Sequence, residues 1–70
     1  MSEFDVGLPS IRLIQSFIKD KTEVELKLIG GEVLEGLILW QDPDCFYFND
    51  EGEKSTLIWR QAVAYIKPID

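Results

Sequence analysis

Apolar residues recur along this chain with two different periods. Ile11, Ile14, Phe17 and Ile18 step by three and four, which makes one apolar helix face. Leu8-Pro9-Ser10 opens that helix. Proline suits a first helical turn because its missing N–H would have no intrahelical partner, and either Leu8 or Ser10 can stand as the cap. Lys19 and Lys21 sit near the helix end, where cations complement the dipole. From Thr22 the period falls to two. Val24, Leu26 and Leu28 point one way while Glu23, Glu25 and Lys27 point the other, which is a half-buried strand over Thr22–Ile29. Gly30-Gly31 marks a tight hairpin turn. Glu32–Gln41 is the second strand, with Leu34, Gly36, Ile38 and Trp40 on one face. Asp42-Pro43-Asp44 turns the chain. Cys45–Phe48 is a short third strand, Asn49–Glu53 an acidic turn, and Lys54–Trp59 a fourth strand. Arg60-Gln61-Ala62 has room only for a tight connection before a fifth strand, Val63–Lys67, which Pro68 ends.

The segment Leu34-Glu35-Gly36-Leu37-Ile38-Leu39-Trp40-Gln41-Asp42 is the most telling. A glycine inside such an apolar strand weakens it unless the backbone bends sharply or lies close to another segment. A small barrel needs that bend. The expected fold is therefore mainly β: an N-terminal helix followed by a five-stranded, strongly bent antiparallel sheet or barrel. Its last two strands leave edges carrying Ile58, Trp59 and Val63, which invite pairing with another copy. A head-to-tail contact of that kind closes into a ring if the rotation fits.

Seventy residues make one domain, expected over 8–70 behind a loose arm at 1–7. A domain this small is marginal alone and commonly recruits a disulfide, a metal or other copies of itself. Cys45 is the sole cysteine and there is no histidine. No disulfide can form within the chain, a Cys/His metal site has no support, and no cofactor is expected. Oligomerisation remains. The first residues lack a basic and apolar leader pattern, and no apolar run approaches the ~18 residues of a membrane span. A lone cysteine fits a reducing compartment, so a cytoplasmic protein without membrane insertion is expected.

The charge narrows function further. Thirteen acidic residues against seven basic give −6, which repels phosphates over a broad surface. Any nucleic-acid contact must use local basic patches. An enzyme is not expected: there is no histidine, no activated-nucleophile constellation and no phosphate-cradling glycine loop. Glu23 and Glu25 lie on the solvent face of an alternating strand and read as solvated surface, not an acid/base pair.

Val24–Ile29, Gly30-Gly31, Leu34-Glu35-Gly36 and Asp42 together resemble the first sequence motif of the bacterial Sm-like proteins of the Hfq family. Trp59-Arg60-Gln61-Ala62-Val63 resembles the second, where that family usually has Tyr-Lys-His-Ala-Ile. The helix before the first strand is also a family feature, and the likeness covers roughly residues 8 to 68. The resemblance implies a homohexameric ring that binds RNA and acts as an RNA chaperone in post-transcriptional regulation. Uridine-rich ends would enter the pore face, adenine-rich runs the opposite face, and basic helix residues would form a rim patch.

Carried over residue by residue, Arg60 falls where the family has its pore lysine, and Gln61 replaces the histidine beside it. Arginine can contact a phosphate or base edge in two-pronged geometry; glutamine can hydrogen-bond a base but carries no charge. Ser10 falls where a glutamine usually stands near the helix start. Lys19 and Lys21 match the rim, while Ile18 replaces a rim arginine. Asp44 stands where an aromatic would stack on uridine, a loss of about 1–3 kcal/mol per base. On the opposite face Lys27 replaces a stacking aromatic and Glu32 an apolar residue.

Each feature also has a plain structural reading. Gly36 and Asp42 read as bend and turn residues, Trp59 as an interface or core aromatic, Cys45 as a small buried apolar residue, and Lys19 and Lys21 as a solvated helix end. Three functions are then open. One is an RNA-binding ring with weak affinity through pore and rim residues. The second is a protein-interaction hub whose pore face takes a protein partner, which the acidic balance and lost stacking residues favour. The third is a purely structural barrel. Arg60, Gln61, Lys19, Lys21 and Ser10 are the candidate contacts.

Overall fold

The computed structural model describes residues 7–52 and 54–69. Most of the expected arm, Glu53 of the acidic turn and Asp70 lie outside them. Helix α1 spans Pro9–Asp20, followed by strands β1 (Val24–Leu28), β2 (Val33–Gln41), β3 (Cys45–Asp50), β4 (Ser55–Trp59) and β5 (Val63–Pro68). A 3-10 turn, Arg60–Ala62, joins β4 to β5.

Of the two candidate caps, Leu8 holds the position. Its backbone is extended, Pro9 is the first helical residue, and no side chain caps the turn. The far end closes through backbone alone. The Lys21 N–H donates to the Ile18 carbonyl at 3.3 Å and the Thr22 N–H to Phe17 at 2.9 Å. This is the paired closure that usually places glycine in the left-handed region. Here Lys21 occupies that position, with φ 53° and ψ 46°.

The strands form one antiparallel sheet in the order β4-β3-β2-β1-β5, so β4 and β5 are its edges. Helix α1 rests against β2. Ile14 and Phe17 from the helix meet Val24, Leu26, Ile38, Phe46, Phe48 and Ile58 from β1 to β4. Val24, Leu26 and Phe48 have no exposed surface at all. Each such side chain contributes about 1.5–3 kcal/mol on burial, which is how a 70-residue chain holds one core.

The β1–β2 connection is the four-residue segment 29–32. It is closed by the Leu28 N–H to Glu32 carbonyl bond at 2.8 Å and the Gly31 N–H to Leu28 carbonyl bond at 2.9 Å. Only Gly31, at φ 105°, needs glycine for its backbone. Gly36 needs it for space. It lies opposite Asp50 in the β2–β3 ladder. A Cβ there would run into the Asn49 carbonyl oxygen and come within 2.8 Å of the Asp50 Cα. The close approach is thus to the neighbouring strand.

Strict alternation fails in β2. The β2–β3 register shifts between Ile38 and Trp40, which is a β-bulge with one extra residue on β2. Beyond it Trp40 lies opposite Tyr47 and Gln41 opposite Phe46. Trp40 therefore does not share the buried face of Gly36 and Ile38 as expected. It is exposed and stacks on Tyr47, with ring centroids 5.2 Å apart at 15°. Gln41 instead faces the helix. β3 runs two residues past its expected end, and Pro68 closes β5 opposite Val24. Proline is tolerated there because an edge strand need not donate on both sides.

Candidate nucleic-acid interface

The β2–β3 loop is fixed by Asp42. Its Oδ1 accepts the Asp44 N–H at 2.9 Å and the Cys45 N–H at 2.7 Å. This is an Asx-type turn, the structural role expected of Asp42. The 3-10 turn is anchored beside it. The Arg60 N–H donates to the Asp44 carbonyl at 2.7 Å, and the Ile29 N–H to the Ala62 carbonyl at 2.8 Å. The turn between the two edge strands is thereby tied to both neighbouring loops.

The Arg60 side chain folds back onto this frame. Its Nη2 donates to Gln41 Oε1 at 2.9 Å and to the Asp42 carbonyl at 2.7 Å. The guanidinium carbon sits 4.3 Å from the centroid of the Phe46 ring, a cation–π geometry. Burial pulls the Arg60 pKa below its ordinary value, and Asp42, Cys45 and Asp44 oppose that shift. Arginine starts so high that it remains a cation at neutral pH.

Around Arg60 lie two hollows. One, of about 520 Å³, is lined by Pro43, Asp44, Trp59, Arg60 and Gln61. The other, of about 300 Å³, runs between α1 and β5 and is lined by Ser10, Leu13, Ile14, Phe46, Arg60, Val63 and Ile66. The fold thus brings together three of the five candidate residues, Ser10, Arg60 and Gln61, with Arg60 common to both walls. Gln61 is exposed; Arg60 is half-buried. Lys19 and Lys21 stand at the other end of α1, about 14 Å along its axis from Ser10. Both are exposed, and Lys21 borders a separate hollow with Ile18, Leu37, Ile38 and Leu39.

Two further groups escaped sequence reasoning. Gln41 is one. Counted by alternation from Gly36 it faces outward, and only the bulge turns it toward Arg60. The other lies on β1 and β5. The Tyr65 hydroxyl donates to Glu25 Oε2 at 2.6 Å, and Lys67 Nζ lies 3.7 Å from the same oxygen. The hydrogen bond to Glu25, then burial, hold the Tyr65 pKa above its usual value. No helix among the described residues is long and apolar enough to cross a membrane.

Residues 8–68 match the model of a protein family described as Hfq related. The chain belongs to the Hfq family. The RNA-binding protein Hfq of Hyphomonas neptunium (strain ATCC 15444) is 28% identical over 50 residues, covering 71% of this chain and 61% of that protein. The match therefore spans about three fifths of the length of that curated relative. The crystal structure of an Hfq protein from Anabaena sp. superposes with a TM-score of 0.81 at 46% identity, over 90% of this chain and all of that one. A crystal structure of the pleiotropic translational regulator Hfq gives a TM-score of 0.78 at 24% identity, over 83% and 95% of the two chains. That last likeness bears on fold alone. One helix and a bent five-stranded antiparallel sheet make this the Sm-like fold of Hfq.

Proposed function

We propose that this Hfq-family chain is the subunit of a cytoplasmic homohexameric ring that binds single-stranded RNA weakly and acts in post-transcriptional regulation. One observation carries the reading. Ser10, Arg60 and Gln61 come from separate parts of the chain, yet line adjoining hollows around one cation. Membership of a family whose named relative is an RNA-binding protein supports it. The ring reading is supported by the sheet order: β4 and β5 are edges that carry exposed Leu57, Trp59 and Tyr65. Pairing β4 of one copy with β5 of the next would cover those residues and repeat Arg60 around a pore.

Weak affinity follows from charge. Each copy carries −6, and Asp44 lines the same hollow as Arg60 and Gln61. The rim pair Lys19 and Lys21 adds a second, separate contact. Lys21 occupies a backbone conformation that glycine would adopt with less strain, which favours a use for its ammonium group.

A second reading, a protein partner at the pore face, is favoured by the same Asp44 and by the commitment of Arg60 Nη2 to Gln41 and Asp42. A cation held this way still attracts an acidic peptide segment.

Light scattering coupled to size exclusion should give a mass near six subunits; a stable monomer overturns the ring. Binding of a uridine hexanucleotide should fall with salt on a shallow slope of about −0.7 per phosphate contacted. Nanomolar affinity at physiological salt would overturn weak binding. No binding at low salt, together with capture of a protein partner that Arg60→Ala loses, would favour the second reading.

A further inference from the structure

The β2 bulge re-aims a residue that nothing in the proposed RNA contact requires. We propose that Gln41 is a positioning residue for Arg60, tying its guanidinium to helix α1 so that the cation meets a ligand already oriented. This rests on the reading of Arg60 as a ligand contact.

The chemistry suits an amide and little else. Gln41 Oε1 accepts from Arg60 Nη2 at 2.9 Å. Its Nε2 donates to Gln15 Oε1 at 2.8 Å and reaches the Ile11 carbonyl at 3.4 Å. One end must accept from a cation while the other donates to acceptors on the helix. Glutamine does both; glutamate only accepts, and leucine does neither. The amide orientation is assigned from these partners, and the reverse assignment would set donors against Arg60. A bulge is the means by which a strand turns a side chain to its other face. Without the extra residue in β2, Gln41 would point away from both Arg60 and α1.

The network has a further effect. Nη2 carries two hydrogens, and both have acceptors, Gln41 Oε1 and the Asp42 carbonyl. Both two-pronged faces of a guanidinium use Nη2, end-on with Nη1 and side-on with Nε. While Gln41 stays in place, Arg60 cannot clasp a phosphate or a base edge through that nitrogen. The gain is order. Immobilising a long, rotamer-rich side chain on binding costs about threefold to tenfold in affinity, and Gln41 removes that cost beforehand.

The test measures binding of a fluorescent uridine hexanucleotide at low salt to the parent, Gln41→Leu, Arg60→Ala and the double variant. Light scattering and thermal melting check assembly for each. Gln41→Leu is expected to weaken binding by about threefold to tenfold, and to have no further effect once Arg60 is alanine. A purely structural loss would lower binding equally in both backgrounds, and that result overturns the proposal. So does unchanged binding by Gln41→Leu when Arg60→Ala is weakened. If Arg60→Ala binds as the parent does, the Arg60 reading falls first and the positioning role falls with it. Should Gln41→Leu fail to assemble, Gln15→Ala removes the shorter of the two helix contacts of the tether and leaves the one to the Ile11 carbonyl. It is expected to weaken binding about twofold, again only where Arg60 is present; no change, or an equal loss without Arg60, overturns the proposal.

Discussion

The chain has two cationic regions near α1, and they are built in opposite ways. At the β4–β5 turn, Arg60 is half-buried, bonded through one nitrogen to Gln41 and the Asp42 carbonyl, and laid over Phe46. At the helix end, Lys19 and Lys21 are exposed, and what is fixed there is backbone: the closure through Ile18 and Phe17. One region invests its side chain in the fold and keeps its charge in a known direction. The other leaves its side chains loose and places them by helix geometry alone. The difference teaches that a basic residue matched to a family motif can have two tasks. Only the folded arrangement separates them.

The largest break in this comparison is Arg60→Ala. A side chain that merely projected into a pore could be removed without harm to the fold. This one cannot. Two charge-assisted hydrogen bonds and a ring contact are lost, and the Gln41 oxygen keeps no strong donor. The expected cost is about 1–3 kcal/mol of stability, a sizeable fraction of the roughly 5 kcal/mol a domain this small commonly has. Chemical denaturation of parent and variant at equal protein concentration measures it. Lys19→Ala should move the midpoint hardly at all, since an exposed helix-end charge is worth only about 0.3–1 kcal/mol. Equal shifts for the two variants would erase the distinction.

Lys21→Gly sharpens the comparison from the other side. At φ 53° a lysine pays a backbone strain that glycine avoids. The gain is partly offset because glycine also loosens the unfolded chain. The expected result is a melting point unchanged or higher, corresponding to about 0–1 kcal/mol, with RNA binding weakened at low salt through the lost charge. Stability and binding would then move in opposite directions at the rim and together at Arg60. A clear loss of stability in Lys21→Gly would mean that the lysine side chain has structural work of its own.

A period of three to four carries the helix and a period of two the first strand, because each buries one face; the later strands are legible from the turns that separate them. Gly36 reads from the sequence as a bend, and the structure adds what its missing side chain makes room for, the Asn49 carbonyl and Asp50 of the neighbouring strand. The turn role of Asp42 followed from Asp-Pro-Asp. Trp40 does not take the face that alternation gives it, and the cause is single: a bulge inserts one residue, and nothing local in Ile38-Leu39-Trp40 marks it. Past that point every face inverts. The tether on Arg60 is hidden for the same reason, since simple alternation along β2 would turn Gln41 away from it. Lys19, Lys21, Ser10 and Gln61 needed only helix position or turn position, which the sequence does carry.

Cys45 offers the smallest effect and a probe of the Arg60 region alone. Its side chain is buried at the start of β3, opposite Trp59. Burial first, then Asp42 and Asp44, push its thiol pKa above the ordinary value; Arg60 pulls the other way and is the least of the four causes. A raised folded pKa means that the neutral thiol is favoured in the fold. Its contribution to stability is therefore full below the unfolded value of about 8.5. It is lost as pH rises through the higher folded value. At pH 8 the native thiol should react with a thiol reagent at least about tenfold more slowly than the denatured chain. Lys19→Ala should leave that rate unchanged. In Arg60→Ala a cation that favours the thiolate is lost. The variant should therefore react more slowly than the parent, and only slightly so, because Arg60 is the least of the four causes. A faster reaction would mean that removing Arg60 also opens the start of β3, and that its hydrogen bonds to Gln41 and the Asp42 carbonyl hold that region shut.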